Sequence, residues 1–168
     1  MLHFEFSGSQ YEKASAHQTQ WGQELMSLLS LSGTESILDL GCGDGRLTQQ
    51  LAQLVPHGNV LGIDASAGMI QAAKQREGSN LSFLQMDINA MDFREEFDVI
   101  FSNAALHWVL DHRRLLHAAH CALKPNGKLL WNFAGNGNCS HFFAVVKELM
   151  NQIPYKPFFT QFSWPWYM

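Results

Sequence analysis

The 168-residue chain is long enough for one domain with a substantial core, and 46% hydrophobic against 15% charged residues makes it globular rather than disordered. Its formal net charge is −4, with lysine and arginine scattered rather than gathered in a stripe, which argues against nucleic acid as the main partner. No apolar run approaches the ~20 residues that span a bilayer, and residues 1–10 lack the basic start and apolar core of a signal peptide.

Residues 1–13 are polar and aromatic, with Gly8 breaking any period. A helix is predicted over residues 14–30, with Trp21, Leu25, Leu28 and Leu29 as its apolar face. Residues 37–48 then read as a buried strand (Ile37, Leu38, Leu40), a glycine turn (Gly41, Gly43, Gly45) and the first turn of a helix continued by Leu47, Leu51, Leu54 and Val55. Glycines at alternate positions let the chain turn sharply and let a ligand approach the main chain. Residues 60–64 form a second strand ending in Asp64, roughly 20 residues past the glycines, where a carboxylate can accept both hydroxyls of a ribose.

Ser66 is predicted to cap the next helix, whose packed face is Met69, Ile70 and Ala73. Residues 81–86 are a third strand, ending at Asp87. Residues 97–102 are a fourth, followed by a loop or short helical turn over Asn103 to Trp108. That turn lies where an open parallel sheet binds its ligands, beyond the carboxyl ends of the strands. Asp111 caps a helix with Leu115, Leu116, Ala119 and Leu123 inward; residues 123–128 read as a turn and 129–133 as a fifth strand. Residues 140–152 give another amphipathic helix with Phe143, Val146 and Met150 inward, and the aromatic stretch 154–168 has no period. Cys42, Cys121 and Cys139 are odd in number and lack metal-ligand spacing, so reduced thiols, no metal and a cytoplasmic setting are expected.

The run Asp39-Leu40-Gly41-Cys42-Gly43-Asp44-Gly45 resembles the first motif of class I S-adenosylmethionine (SAM) dependent methyltransferases. Residues 62–66 with Met69 and Ile70, and the strand end at Asp87-Ile88, look like the second and third motifs. The likeness covers roughly residues 10–133. Within the family it is greatest for small-acid carboxyl methyltransferases of the trans-aconitate and malonyl-carrier-protein types. It implies a Rossmann-like, doubly wound parallel α/β sheet in the order 3-2-1-4-5, without the family's C-terminal strands 6 and 7, so that the sequence is expected to be a fragment. The expected segments are a helical cap over 1–34, the cofactor-binding core over 35–135, and a helix with aromatic tail over 136–168.

The resemblance also implies roles. Asp39, Gly41, Cys42, Gly43 and Gly45 would face the amino-acid part of SAM, and Asp64 the ribose. Ala65, Met69, Asp87 and Ile88 would surround the adenine, with Met69 equally suited to the core and Asp87 able instead to cap the turn at Asn89. Asn103 would border the methyl. His107 would be the general base for a hydroxyl or amine acceptor, or a substrate-orienting group for a carboxylate; Trp108 and Tyr11 would touch substrate. Gln18 reads as structural. S-adenosylhomocysteine would be the product and the partner a small molecule, without nucleic acid or membrane. The alternatives are a non-catalytic nucleoside-binding module and a nicotinamide oxidoreductase. The fifth strand would be an edge, covered by a second copy or by the folded-back tail.

Overall fold

Five short apolar runs, each bounded by turn residues, come together as one sheet. The computed structural model describes residues 16–165; Tyr11 lies outside them. Strands β1 (Ser36–Leu40), β2 (Asn59–Asp64), β3 (Leu81–Gln85), β4 (Phe97–Asn103) and β5 (Leu123–Asn132) pair in parallel in the order β3-β2-β1-β4-β5. This is the doubly wound arrangement implied by the motifs. The helices are α1 (Ala16–Met26), α2 (Arg46–Leu54), α3 (Ala67–Ala73), α4 (His112–Ala122) and α5 (Ser140–Asn151).

Side-chain alternation divides the core between the two faces of the sheet. On one face Ile37, Val99 and Phe101 pack with Met26 of α1, Leu51 and Ala52 of α2, and Ile70 and Ala73 of α3. On the other, Leu38, Leu40, Ile63 and Ile100 pack with Leu106 and with Leu115, Ala119 and Ala122 of α4. A central parallel strand is covered on both sides, which is why β1 reads as a nearly unbroken apolar run. Each large side chain buried here contributes about 1.5–3 kcal/mol of transfer free energy. The helix starts are capped as predicted: Ser66 Oγ accepts from the Met69 amide at 3.3 Å, and Asp111 Oδ1 from the Arg114 amide at 2.9 Å.

Several boundaries differ from the sequence reading. Helix α1 ends at Met26, and its buried face is Gly22 and Met26, with Leu25 and Leu29 partly covered. Trp21 and Leu28 point outward, 51% and 71% exposed. The cause is a close crossing: a Cβ on Gly22 would collide with Leu47 of α2, so this small residue faces the sheet layer. Leu116 of α4 is also exposed. Strand β5 begins at Leu123, and the predicted turn lies inside it as a bulge. Phe97 pairs with Leu123 while Val99 pairs with Lys128, and Asn126 takes a left-handed φ of 66°. Phe133 falls beyond the strand. In α5 the predicted inward residues Phe143, Val146 and Met150 are the less exposed ones, yet no residue of this helix is buried. The tail folds back on α5, with the Trp164 ring edge-on to Phe143 at 5.0 Å. Among the described residues no helix is long and apolar enough to cross a membrane.

Gly45, at the start of α2, has φ 77°, and a Cβ there would run into Phe83 and Ala73. Gly45→Ala is therefore expected to destabilise the fold by about 2–4 kcal/mol, combining left-handed strain with overpacking. Urea denaturation measures this, and a loss below about 1 kcal/mol would mean that the turn yields to the methyl group.

Candidate functional site

The end of β1 is pinned to the end of β2 by one carbonyl. Ile63 O accepts from the amides of Gly41 and Cys42, at 2.9 and 3.0 Å. The chain then turns through Gly41, Gly43 and Gly45 with φ of 72°, 55° and 77°, values that glycine adopts at least cost. The three glycines serve different ends. A Cβ on Gly41 would collide with Ala105 and one on Gly45 with Phe83, so both are required by packing. A Cβ on Gly43 would meet nothing within 4 Å. Of the three, only at Gly43 would a Cβ point into open space; Gly45 does not line the cavity above this loop, and its Cβ direction is filled by Phe83 and Ala73.

A cavity opens above this loop. Asp39, Gly41, Cys42, Gly43 and Asn103 of the predicted residues line it, together with Gln18, Thr19, Asp44, Arg46, Leu47 and Phe101. Gln18 reaches it because α1 crosses the top of the sheet. Asn103 Nδ2 donates to Gln18 O at 2.8 Å, and Asn103 Oδ1 accepts from Asn132 Nδ2 at 3.2 Å, tying α1, β4 and β5 together. Sequence reasoning passed over Asp44 and Arg46, which lie inside the glycine motif and were legible there as charged neighbours of the turn. Asp44 is ion-paired to Arg46 at 3.7 Å and to Arg76 at 3.9 Å.

Asp39 is 2% exposed at the base of this cavity. Its Oδ2 accepts a 2.7 Å hydrogen bond from the Thr48 hydroxyl. Burial pushes the Asp39 carboxyl up to about 7, the Thr48 hydrogen bond pulls it down, and the Asp64 charge raises it. Cys42 turns its thiol into the core beside Gly62, where burial and the neighbouring carboxylates push its pKa far up. Its side chain is thus inert, and only its backbone belongs to the loop.

At the end of β2, Asp64 Oδ2 accepts from the Gly43 amide at 3.0 Å and Oδ1 from the Ser66 amide at 2.9 Å. Asp87 Oδ1 accepts from the Asn89 amide at 2.8 Å and caps the turn Ile88–Ala90. Met69 is 3% exposed, so its side chain is buried, while Ala65 is exposed and Ile88 partly so. His107 and Trp108 sit in the short helix Leu106–Trp108 after β4, ring centroids 5.6 Å apart, outside the lining of the cavity. His107 Nδ1 is buried without a hydrogen-bond partner among the described residues, and burial lowers the pKa of the ring. No metal-ligating cluster occurs among the described residues.

A parallel sheet with a glycine turn, an acid at the next strand's end and a cleft over their carboxyl ends defines a doubly wound, ligand-binding α/β domain. Residues 37–127 match the methyltransferase-domain family model. The trans-aconitate 2-methyltransferase of Deinococcus radiodurans is 39% identical over 120 residues, covering 71% of this chain and 46% of that protein. The malonyl-[acyl-carrier protein] O-methyltransferase of Bacillus anthracis is 32% identical over 137 residues, 79% of this chain and 51% of the relative. A SAM-dependent methyltransferase structure from Mesorhizobium loti superimposes with a TM-score of 0.60 at 30% identity, over 67% of this chain and 52% of the other. The chain belongs to the SAM-dependent methyltransferase family. It spans about half the length of the curated relatives it matches.

The Asp39 shift carries a stability consequence with a definite sign. Its pKa is higher in the folded chain than its ordinary 3.8, so the fold favours the neutral acid. Stability is therefore greatest below the ordinary value, falls as pH rises toward about 7, and is flat above. Asp39→Asn, which keeps an acceptor for Thr48 and cannot ionise, is expected to melt above the native chain at about pH 8 and to lose most of that advantage at about pH 4. Differential scanning fluorimetry across this range checks it, and a pH-independent difference would contradict it.

Proposed function

We propose that this chain holds SAM over the glycine turn and belongs to an enzyme that methylates a small organic acid at a carboxylate. The observation that carries the reading is the open space at Gly43, flanked by the buried Asp39 carboxylate on one side and Asp64 on the other. A zwitterionic amino acid joined to a ribose fits that donor and acceptor set. Asp39 accepts from the ammonium, and the bare backbone at Gly41 and Gly43 allows close approach. Asp64, at the end of β2, receives the ribose hydroxyls. Asp87, with Oδ1 committed to Asn89, offers Oδ2 to the adenine amine, and Ala65, Met69 and Ile88 wall the ring.

SAM supplies a methyl group already activated on a sulfonium, so the protein's contribution is position, a dry pocket and electrostatics. Asn103 borders the transfer point from the end of β4. A carboxylate acceptor needs no proton removed. His107, whose ring burial holds toward the neutral form, then serves to orient it rather than to remove a proton, with Trp108 as a wall. The choice of a carboxylate follows the trans-aconitate and malonyl-carrier-protein substrates in the names of the relatives.

Thermal shift tests the cofactor. SAM or S-adenosylhomocysteine at about 100 times Kd should stabilise the chain by about 2.7 kcal/mol, and NAD should not. Gly43→Val, whose side chain enters the open space, should fold with stability lowered by left-handed strain at φ 55° and lose this shift. A Gly43→Val protein that still responds to SAM would take the glycine turn out of the site. Label transfer from methyl-labelled SAM to a panel of di- and tricarboxylic acids tests the acceptor, and transfer only to amines or hydroxyls would reassign it and make His107 a base.

A further inference from the structure

Thr48 is fully buried in the first turn of α2 and does not line the cavity, whereas the carboxylate it touches does. Strand alternation places Ile37 and Asp39 on the same face of β1, toward α2, so the first helical turn after the glycines lies against Asp39. At 2.7 Å the Thr48 hydroxyl donates to Asp39 Oδ2. Oδ1 accepts no hydrogen bond among the described residues. One oxygen is thus held by the protein and the other is left for a ligand. Threonine is suited to this because its branched side chain is stiff at χ1, which fixes where the hydroxyl points.

We propose that Thr48 is a positioning residue of the cofactor site, aligning Asp39 as a carboxylate whose free Oδ1 meets the ammonium of the bound amino-acid moiety. The inference rests on the SAM reading above. It adds that recognition of the ammonium runs through a hydroxyl that never touches the ligand. The charged and titratable groups around Asp39 are Asp64 at the end of β2, Cys42 and Asp44 in the turn, and Arg46 at the start of α2; α1 and β4 present only the uncharged Gln18, Thr19 and Asn103. Asp64 opposes ionisation of Asp39, and the Thr48 hydrogen bond favours it. Removing the hydroxyl therefore moves Asp39 toward the neutral acid, which attracts an ammonium less.

The test is calorimetric titration of the whole chain between about pH 5 and about pH 8 with two ligands. S-adenosylhomocysteine carries the ammonium; 5′-methylthioadenosine keeps the nucleoside and lacks it. In the unaltered chain, affinity for S-adenosylhomocysteine should rise as pH passes through about 7, while that for methylthioadenosine stays flat. Thr48→Val should lower S-adenosylhomocysteine affinity about tenfold at neutral pH and raise the midpoint by about one pH unit, leaving methylthioadenosine binding unchanged. Thr48→Ser should restore most of both. A native affinity and midpoint in Thr48→Val, or equal losses for the two ligands, would overturn the proposal. The profile of the unaltered chain tests it without any variant: the same pH dependence for both ligands would also overturn it. Failure of the unaltered chain to bind either ligand would instead overturn the cofactor reading itself.

Discussion

The arrangement above the sheet depends on the Ile63 carbonyl, which accepts from two successive amides, Gly41 and Cys42. Those two bonds stop β1 and bring its end against the end of β2. The backbone then turns through three residues with positive φ, and the amide of Gly43 comes within 3.0 Å of the Asp64 carboxylate. The next strand's acid and the preceding strand's turn are thus one hydrogen-bonded unit. Displacing either would move Asp39, Asp64 and the start of α2 together, because no slack residue separates them.

The electrostatics of this unit set its carboxylates against one another. Asp39, Asp44 and Asp64 crowd one turn. Arg46 and Arg76 are drawn to Asp44. Asp39 is left with a hydroxyl rather than a cation, and burial penalises its charge. A buried carboxylate without a counter-ion is a cost that the core alone does not require, since an apolar residue would pack there at no such penalty. On the proposed reading, the ammonium of SAM supplies the missing counter-ion. This is the sense in which a binding site stores instability that its ligand relieves.

Much of this was legible in the residues. Asp39 within the first strand, the ending of the second at Asp64, the glycine spacing and the caps Ser66 and Asp111 follow from local chemistry: alternation, φ preference and side-chain acceptors near free amides. Neither the exposure of Trp21 nor the presence of Gln18 in the cavity could be read this way. Both follow from the angle at which α1 crosses α2, set by the contact of Gly22 with Leu47. The bulge in β5 was likewise read as a turn, because Pro125-Asn126-Gly127 has turn chemistry whether or not the flanking residues pair with the same neighbour.

The sequence by itself determined the strand and helix segments and the α/β class, because hydrophobic period and glycine placement act over a few residues at a time; the strand order came with the resemblance of its motifs to a known family. The tertiary structure decided which glycine borders open space and which two are packing requirements, since that depends on Ala105 and Phe83, far away in the chain. It also decided that Cys42 turns into the core while Asp39, bonded to Thr48, lines the cavity. The physical reason is the same in each case. A residue's local preference sets its backbone, but what lies against its side chain is chosen by elements that meet only when the sheet closes.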